Sequence, residues 1–336
     1  MEVRLSGYDA LRRSMANRAR AWQGGKASAR DRILGKHYFP LSHNPKFTLG
    51  KSDKIFTVGS CFARETEFKL APFGVPLLLF NKGVERKHFA SWAEADDAVG
   101  ADRLYAGVFN KYTPASIEHD IRRTILNEPH ENEGLIEIDT DKWFDPHASG
   151  LKLLPLGIAL ENRAKISAAM NLIREADVVV LTLGQTESWI DCQSGIAMNA
   201  HPGPPALRKF RDRFAFIVHT YRDSIEQLER TIQLIRTACN PDMKIVVTVS
   251  PVPFNATFRE QDIVVAHQAT KALLRAVAEE LFRSHDFLDY FPSYEMVINT
   301  PRELAWNDDQ LHVSGDIVKD IKGVFYANYY PDTAAK

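Results

Sequence analysis

The stretch Lys54-Ile55-Phe56-Thr57-Val58-Gly59-Ser60-Cys61-Phe62-Ala63-Arg64-Glu65 sets the tightest limit on how this chain can fold. A short run of β-branched and aromatic residues suits a pleated, buried surface. It stops at a Gly-Ser pair, after which the pattern turns amphipathic. The spacing predicts a strand, a tight turn and a helix, with Ser60 at the corner. A continuous apolar strand of this length fits a parallel sheet covered on both faces. Gly59 lets the backbone turn without a Cβ clash. A serine in that corner sits beside helix N-terminal N–H groups, whose partial positive charge favours a developing anion. That is where an acyl-transfer nucleophile belongs, although Gly-Ser before a helix is equally what an ordinary N-cap looks like.

The rest of the chain repeats the strand-helix rhythm. The segment after Ser60 reads as a helix to about Ala71, stopped by Pro72, and Pro76 to Phe80 reads as a second strand. A helix start is expected at Pro114-Ala115-Ser116. Residues 131–157 are irregular and read as an inserted hairpin or lid. A helix over 159–176 leads into Asp177-Val178-Val179-Val180-Leu181-Thr182-Leu183-Gly184, the strongest strand signal in the sequence. Tyr221, Ile225, Leu228, Ile232 and Ile235 recur at helical spacing and precede a strand over 243–249. A helix over 261–282 and a short strand at 287–290 follow. Such alternation predicts a three-layer α/β/α sandwich on a parallel, flavodoxin-like sheet. Ligands of these sheets lie beyond the carboxyl ends of the strands. Ser60, Gly184 and Ser250 each follow a strand end and are expected at one rim.

Composition excludes several classes. The chain has 336 residues and a formal net charge of −1, so nothing global draws it to nucleic acid or anionic lipid. Its three cysteines, Cys61, Cys192 and Cys239, form neither a disulfide framework nor a zinc pattern. No run approaches the roughly 18 apolar residues that span a bilayer, and the start lacks the apolar core of a secretory signal. The expectation is a cytoplasmic protein. Residues 1–40 form a basic N-terminal extension carrying Arg4, Arg12, Arg13, Arg18, Arg20, Lys26, Arg30, Arg32 and Lys36, and residues 41–336 form the main domain. The extension is either an arm for a polyanion or membrane surface or a solvated, partly ordered tail. Gly50-Lys51-Ser52 is no phosphate loop, because Pro45 stands where a glycine is required and the segment precedes its strand. No metal and no cofactor is called for.

Near the C-terminus, Trp306-Asn307-Asp308-Asp309-Gln310-Leu311-His312-Val313-Ser314 places an acid three residues before a histidine, ahead of a helix expected from Gly315. Asp309 can then accept from His312 Nδ1–H and fix the tautomer that leaves Nε2 free to take a proton from a serine. An aspartate cap beside a surface histidine has the same spelling.

Gly59-Ser60-Cys61-Phe62-Ala63 resembles the motif that names the GSCFA family. The chain from about Pro45 to about Tyr330 resembles SGNH-type (GDSL-like) hydrolases, which pair a first serine block with a late Asp-x-x-His block. The resemblance implies a Ser-His-Asp ester-bond enzyme with Ser60, Asp309 and His312 as its triad. It implies an oxyanion hole drawn from Ser60, Gly107 and Asn110, with Gln185 or Thr186 in the third block. There the sequence departs from the pattern, since Gly184-Gln185-Thr186 lacks the usual asparagine. Glu187, Trp189 and Trp306 are the candidate substrate contacts, either as a sugar platform or as packing residues. Cys61 is the rival nucleophile, though one residue past the turn its side chain is expected to face the core. The expected activity is hydrolysis of acyl esters of carbohydrate. Acyl transfer to a polysaccharide or glycolipid is the first alternative, and a silent glycan-binding or scaffold protein the second.

Overall fold

The computed structural model of the protein describes residues 4–24, 27–35, 37–89, 104–128 and 131–331. Gly25, Lys26 and Lys36 of the basic extension lie outside the described residues. In chain order, two helices, α1 (Gly7–Ala16) and α2 (Ala29–Ile33), precede strand β1 (Ile55–Gly59) and helix α3 (Cys61–Leu70). Then come α4 (Pro114–Leu126), the hairpin β2 (Ile136–Asp139) and β3 (Lys142–Phe144), and α5 (Leu156–Met170). The middle of the chain holds β4 (Val178–Leu183), β5 (Glu187–Asp191), β6 (Ile196–Met198), α6 (Gly203–Lys209), β7 (Phe214–Val218) and α7 (Tyr221–Ala238). It ends with β8 (Lys244–Val249), α8 (Ile263–Ser284), β9 (Leu288–Tyr290), α9 (Ser293–Ile298), α10 (Arg302–Ala305) and α11 (Gly315–Tyr329).

The central sheet has the order β1-β4-β8-β9 and every neighbouring pair is parallel. Side chains alternate between its faces, and the two sets enter two cores. Phe56, Val58, Val179, Leu181, Ile245, Val247 and Leu288 join residues of α4, α5, α7 and α8 on one side. Ile55, Val178, Val180 and Val246 join Phe62 of α3, Val297 of α9 and Ile317, Ile321 and Phe325 of α11 on the other. Both faces being covered explains why β4 is apolar throughout and has all six residues buried. The result is a three-layer α/β/α sandwich with a parallel sheet.

Local signals start and stop the helices where the sequence says they should. Thr113 and Ser116 form a capping box with Pro114 at the first turn of α4, and Thr220 and Asp223 form one for α7. The chain leaves α3 through a 3₁₀ turn containing Pro72 that closes on Gly74 at φ 72°. Leu228, Ile232 and Ile235 of the α7 stripe are buried.

Two elements differ from the sequence expectation. Pro76 to Phe80 is not a strand. Ile55 N–H donates to Pro76 O at 2.8 Å and Leu78 N–H to Ile55 O at 2.9 Å, after which the chain turns away. Proline leaves no N–H to extend the ladder before Leu77, and Phe80 N–H turns back onto Leu77 O at 3.3 Å, so pairing at this edge is a single bridge. The second difference is a small antiparallel sheet, in the order β6-β5-β7, where no strands are foreseen. It shares a satellite core with the β2-β3 hairpin, built from Ile136, Ile138, Phe144, Ile196, Met198 and Ala206. Among the described residues, no helix is long and apolar enough to cross a membrane.

Candidate functional site

The parallel register brings the three strand ends to one rim. Ser60 N–H donates to Thr182 O at 3.1 Å, and Ser250 N–H donates to Leu183 O at 2.8 Å. Gly59 has φ 140°, and a Cβ there would stand 2.2 Å from Thr182 O. Only glycine lets β1 lie this close to β4 while turning into α3. Ser60 then caps α3 with φ −65° and ψ 176°, yet its side chain makes no capping hydrogen bond. The residue is buried, and its Oγ has no hydrogen-bond partner among the described residues. An ordinary N-cap spends its hydroxyl on the helix; this one does not.

Two segments flank the serine. Gly184 follows β4, and a Cβ on it would come 3.1 Å from Ser60 Cβ and 2.9 Å from Tyr112 O. On the outer side of β1, Asn110 forms a parallel bridge with Gly59, and Lys111 N–H donates to Gly59 O at 2.7 Å. Asn110 is buried, its Nδ2 makes one long contact of 3.4 Å to Tyr112 Oη, and its Oδ1 has no partner among the described residues.

The expected oxyanion donors need correcting in part. Ser60 N–H is engaged by Thr182 O because β1 and β4 continue to pair through the corner. The N–H groups of Cys61 and Phe62, at the start of α3, have no backbone acceptor among the described residues. Thr186 is excluded, since its Oγ1 bonds Thr270 Oγ1 at 2.9 Å and accepts from Arg259 at 3.2 Å. Gln185 N–H is held by Tyr112 O at 2.7 Å, while its half-buried side chain makes no hydrogen bond among the described residues. Gly107 lies in a 3₁₀ turn over Ala106–Phe109 and accepts from Asn110 N–H at 3.0 Å. It shapes the turn that delivers Asn110.

Buried charges fix both flanks. Lys111 pairs with Asp120 and donates to His147 O at 2.7 Å, and His147 Nδ1 lies 3.0 Å from Asp120. Burial pushes the His147 imidazole down to about 3, so the ring is neutral. Arg163 pairs with Asp145, whose carboxylate also accepts from His147 N–H at 2.9 Å. In α3, Arg64 donates to Thr57 O at 2.6 Å and to the Glu67 carboxylate at 3.1 Å, tying the helix to the strand it follows.

Lys271 is the residue that sequence reasoning missed. It lies on α8, is buried, and donates from Nζ to Gly184 O at 2.7 Å, so it holds the glycine beside Ser60. Burial lowers its ammonium to about 7. The signal was present in the sequence: Lys271 falls on the apolar face of α8, at helical spacing from the buried Leu274 and Ala278. A charge on such a face without a carboxylate partner is a reason to look for a site.

His312 stands on the loop between α10 and α11. Its Nδ1 lies 2.6 Å from Asp309 Oδ2, and its N–H donates to Asp309 Oδ1 at 2.9 Å. The His312 hydrogen bond, followed by those of the His312 and Leu311 N–H groups, lowers the Asp309 carboxyl to about 2. Both side chains are about half exposed, at 57% and 48%. Nδ1 is thus held on the carboxylate, and Nε2 makes no hydrogen bond among the described residues. No hydrogen bond joins His312 to Ser60, although α3 and α11 pack on each other over the same face of the sheet.

The candidate substrate contacts are largely occupied. Glu187 accepts from Thr257 Oγ1 at 2.8 Å and pairs with Arg259 at 2.9 Å. Trp189 sits among His201, Phe216 and Phe258, with ring centroids 5.0 to 5.5 Å away. Trp306 packs on the second core and lies under the Arg302 guanidinium, 5.1 Å from its ring centre. Cys61 is partly exposed as a residue, but burial of its thiol raises the pKa and disfavours thiolate.

The fold and site define an α/β sandwich with an uncommitted serine at the carboxyl rim of its parallel sheet. The chain belongs to the GSCFA family, which it matches over residues 54–325. Among curated protein sequences, none matches this chain. Among solved structures, a family 3 carbohydrate esterase of Clostridium thermocellum is similar at 13% identity and a TM-score of 0.38, over 85% of this chain and 98% of that one.

Proposed function

We propose that the protein is a serine-dependent ester-bond hydrolase in which Ser60 is the nucleophile. The observation that carries this reading is the buried Ser60 Oγ, left without a partner at the head of α3 while it occupies the capping position. Ser60 Oγ attacks the ester carbonyl as His312 Nε2 takes its proton, and Asp309 holds the imidazolium that forms. The tetrahedral oxyanion lies against the Cys61 and Phe62 N–H groups and the Asn110 amide. The C–O bond to the alcohol then breaks, with the proton passing from His312 to the departing oxygen. Water attacks the acyl-enzyme by the same steps in reverse and releases the acid. Turnover requires the 306–314 loop to close so that Nε2 reaches Ser60, a contact that commonly tightens only around substrate.

Acyl esters of carbohydrate are the substrate class we put forward. Support comes from the aromatic cluster just past Gly184, where His201 stacks on the half-exposed Phe258 at 4.9 Å and presents flat faces of the kind sugar rings pack on. Acyl transfer to a sugar hydroxyl is the second reading, since the steps up to the acyl-enzyme are shared and only the attacking oxygen differs.

A fluorophosphonate probe should label the native protein at Ser60, with labelling lost in Ser60→Ala and kept in Cys61→Ala. Labelling lost in Cys61→Ala and kept in Ser60→Ala would move the nucleophile by one residue. A native protein that neither labels nor turns over any of a panel of acetyl esters would favour a silent binding protein.

A further measurement separates the role of Lys271 from simple packing. Its folded-state pKa lies below the unfolded one, so folding favours the neutral amine and the penalty on the charged form is complete below about 7. That penalty fades as pH rises toward the unfolded value near 10.4. Lys271→Met should therefore raise the Tm, and by more at pH 6 than at pH 9. Esterase kcat should nevertheless fall about tenfold to a hundredfold, because Gly184 is released. A drop in both Tm and kcat would make Lys271 a packing residue only.

A further inference from the structure

Helix α1 is out of keeping with the rest of the protein. It runs over ten residues, is capped by Ser6, and buries none of its side chains. Tyr8, Leu11 and Met15 are 71%, 56% and 66% exposed, and Leu5 and Trp22 on either side are 39% and 68% exposed. The spacing of Tyr8, Leu11 and Met15 lays them along one stripe of the helix. An isolated helix this short is marginal in water, so a stripe left mostly exposed implies that a second surface completes the helix.

Charge identifies that surface. Arg12 borders the stripe on the helix and Arg4, Arg18 and Arg20 flank it in sequence, with Arg13 on the far face, against Asp9 as the one acid among the described residues of the segment. The chain as a whole is balanced at −1, so this excess is local. A narrow apolar stripe bordered by arginine, with an exposed tryptophan just beyond it, matches the requirements of the headgroup region of an anionic bilayer. Apolar side chains reach the acyl boundary, guanidinium groups meet phosphate, and an amphipathic aromatic ring sits between. We propose that α1 docks the protein on an anionic lipid surface through Tyr8, Leu11 and Met15, with Arg12, Arg18 and Arg20 on the phosphates. The proposal is independent of the reading of Ser60.

The test is co-sedimentation of the full chain with vesicles of neutral phosphatidylcholine, alone or with about 30% anionic phosphatidylglycerol. Binding is expected to the anionic vesicles only and should weaken sharply at about 0.5 M salt. Arg12→Gln with Arg18→Gln should lower affinity by more than about tenfold, roughly fivefold per charge. Tyr8→Ser, Leu11→Ser and Met15→Ser together should abolish binding with a Tm little changed, since these side chains are mostly exposed. Equal binding to both vesicle types, no binding, or variants that bind like the parent would each overturn the proposal. So would light scattering that shows a dimer broken by the triple variant without any vesicle binding, which would make a second copy of this chain the occupant.

Discussion

Ser60→Ala should remove nearly all turnover of any ester the protein accepts, by on the order of 10⁴- to 10⁶-fold, and leave the protein at least as stable as the parent. The two halves of this expectation have separate causes. Without the hydroxyl no acyl-enzyme forms, and the residual rate comes from binding and oxyanion stabilisation alone. The native hydroxyl is buried without a partner, and such a group costs about 1–3 kcal/mol that alanine relieves. His312→Ala should match Ser60→Ala in rate loss, because nucleophile and base act as a unit. The double variant should then lose little more than either alone. Steady-state kinetics on an acetyl ester, with thermal unfolding of the same samples, checks all of this. If the two losses multiply, His312 does not serve Ser60. If Ser60→Ala loses activity and several degrees of Tm together, the serine is structural.

Asp309→Asn should lower kcat by about 10²- to 10⁴-fold with the fold intact. Asparagine presents an N–H₂ or a neutral oxygen to His312 Nδ1, which loses the tautomer that directs a lone pair at serine. The lower part of this range is expected because Asp309 is half exposed. Water there takes over part of the carboxylate's electrostatic role. The sign of the pH effect also follows. A carboxyl held at about 2 stays ionised through the neutral and mildly acidic range, so no limb of the pH–rate profile belongs to it. Asp309→Asn should therefore lower the plateau of the pH–rate profile without removing a limb. As for folding, a depressed carboxyl adds stability that is present above its unfolded pKa and lost as pH falls through about 2. In this exposed pair that stability is small. A profile in which Asp309→Asn deletes the acid limb would assign that limb to the carboxylate and contradict the scheme.

The sequence by itself determined the elements whose cause is local or periodic. The apolar run of β4, the capping residues of α4 and α7, the Gly59-Ser60 corner and the Asp309-His312 pair are short-range facts, legible because strand pleat, helix pitch and side-chain reach fix them within a few residues. The parallel sheet followed from the alternation of such elements, and with it the shared rim of Ser60, Gly184 and Ser250. Where a segment's fate depends on distant partners, the sequence was silent or misleading. Pro76 to Phe80 has the composition of a strand but meets β1 at an edge where proline cannot donate. The run at β7 needs β5 beside it, with β6 on the far side of β5, before it becomes part of a sheet.

Tertiary structure also decided which groups near Ser60 are free. Ser60 N–H is consumed by Thr182 O, the Thr186 hydroxyl by Thr270 and Arg259, and Glu187 by Arg259 and Thr257. Asn110 arrives at the corner through a bridge to Gly59, and Lys271 reaches Gly184 from 87 residues away. A motif names the side chains that can do chemistry, but whether a donor is spent or available depends on acceptors brought to it by the fold. No local pattern encodes those acceptors, because hydrogen bonds to strand ends are made by whichever chain the packing of the sheet places alongside.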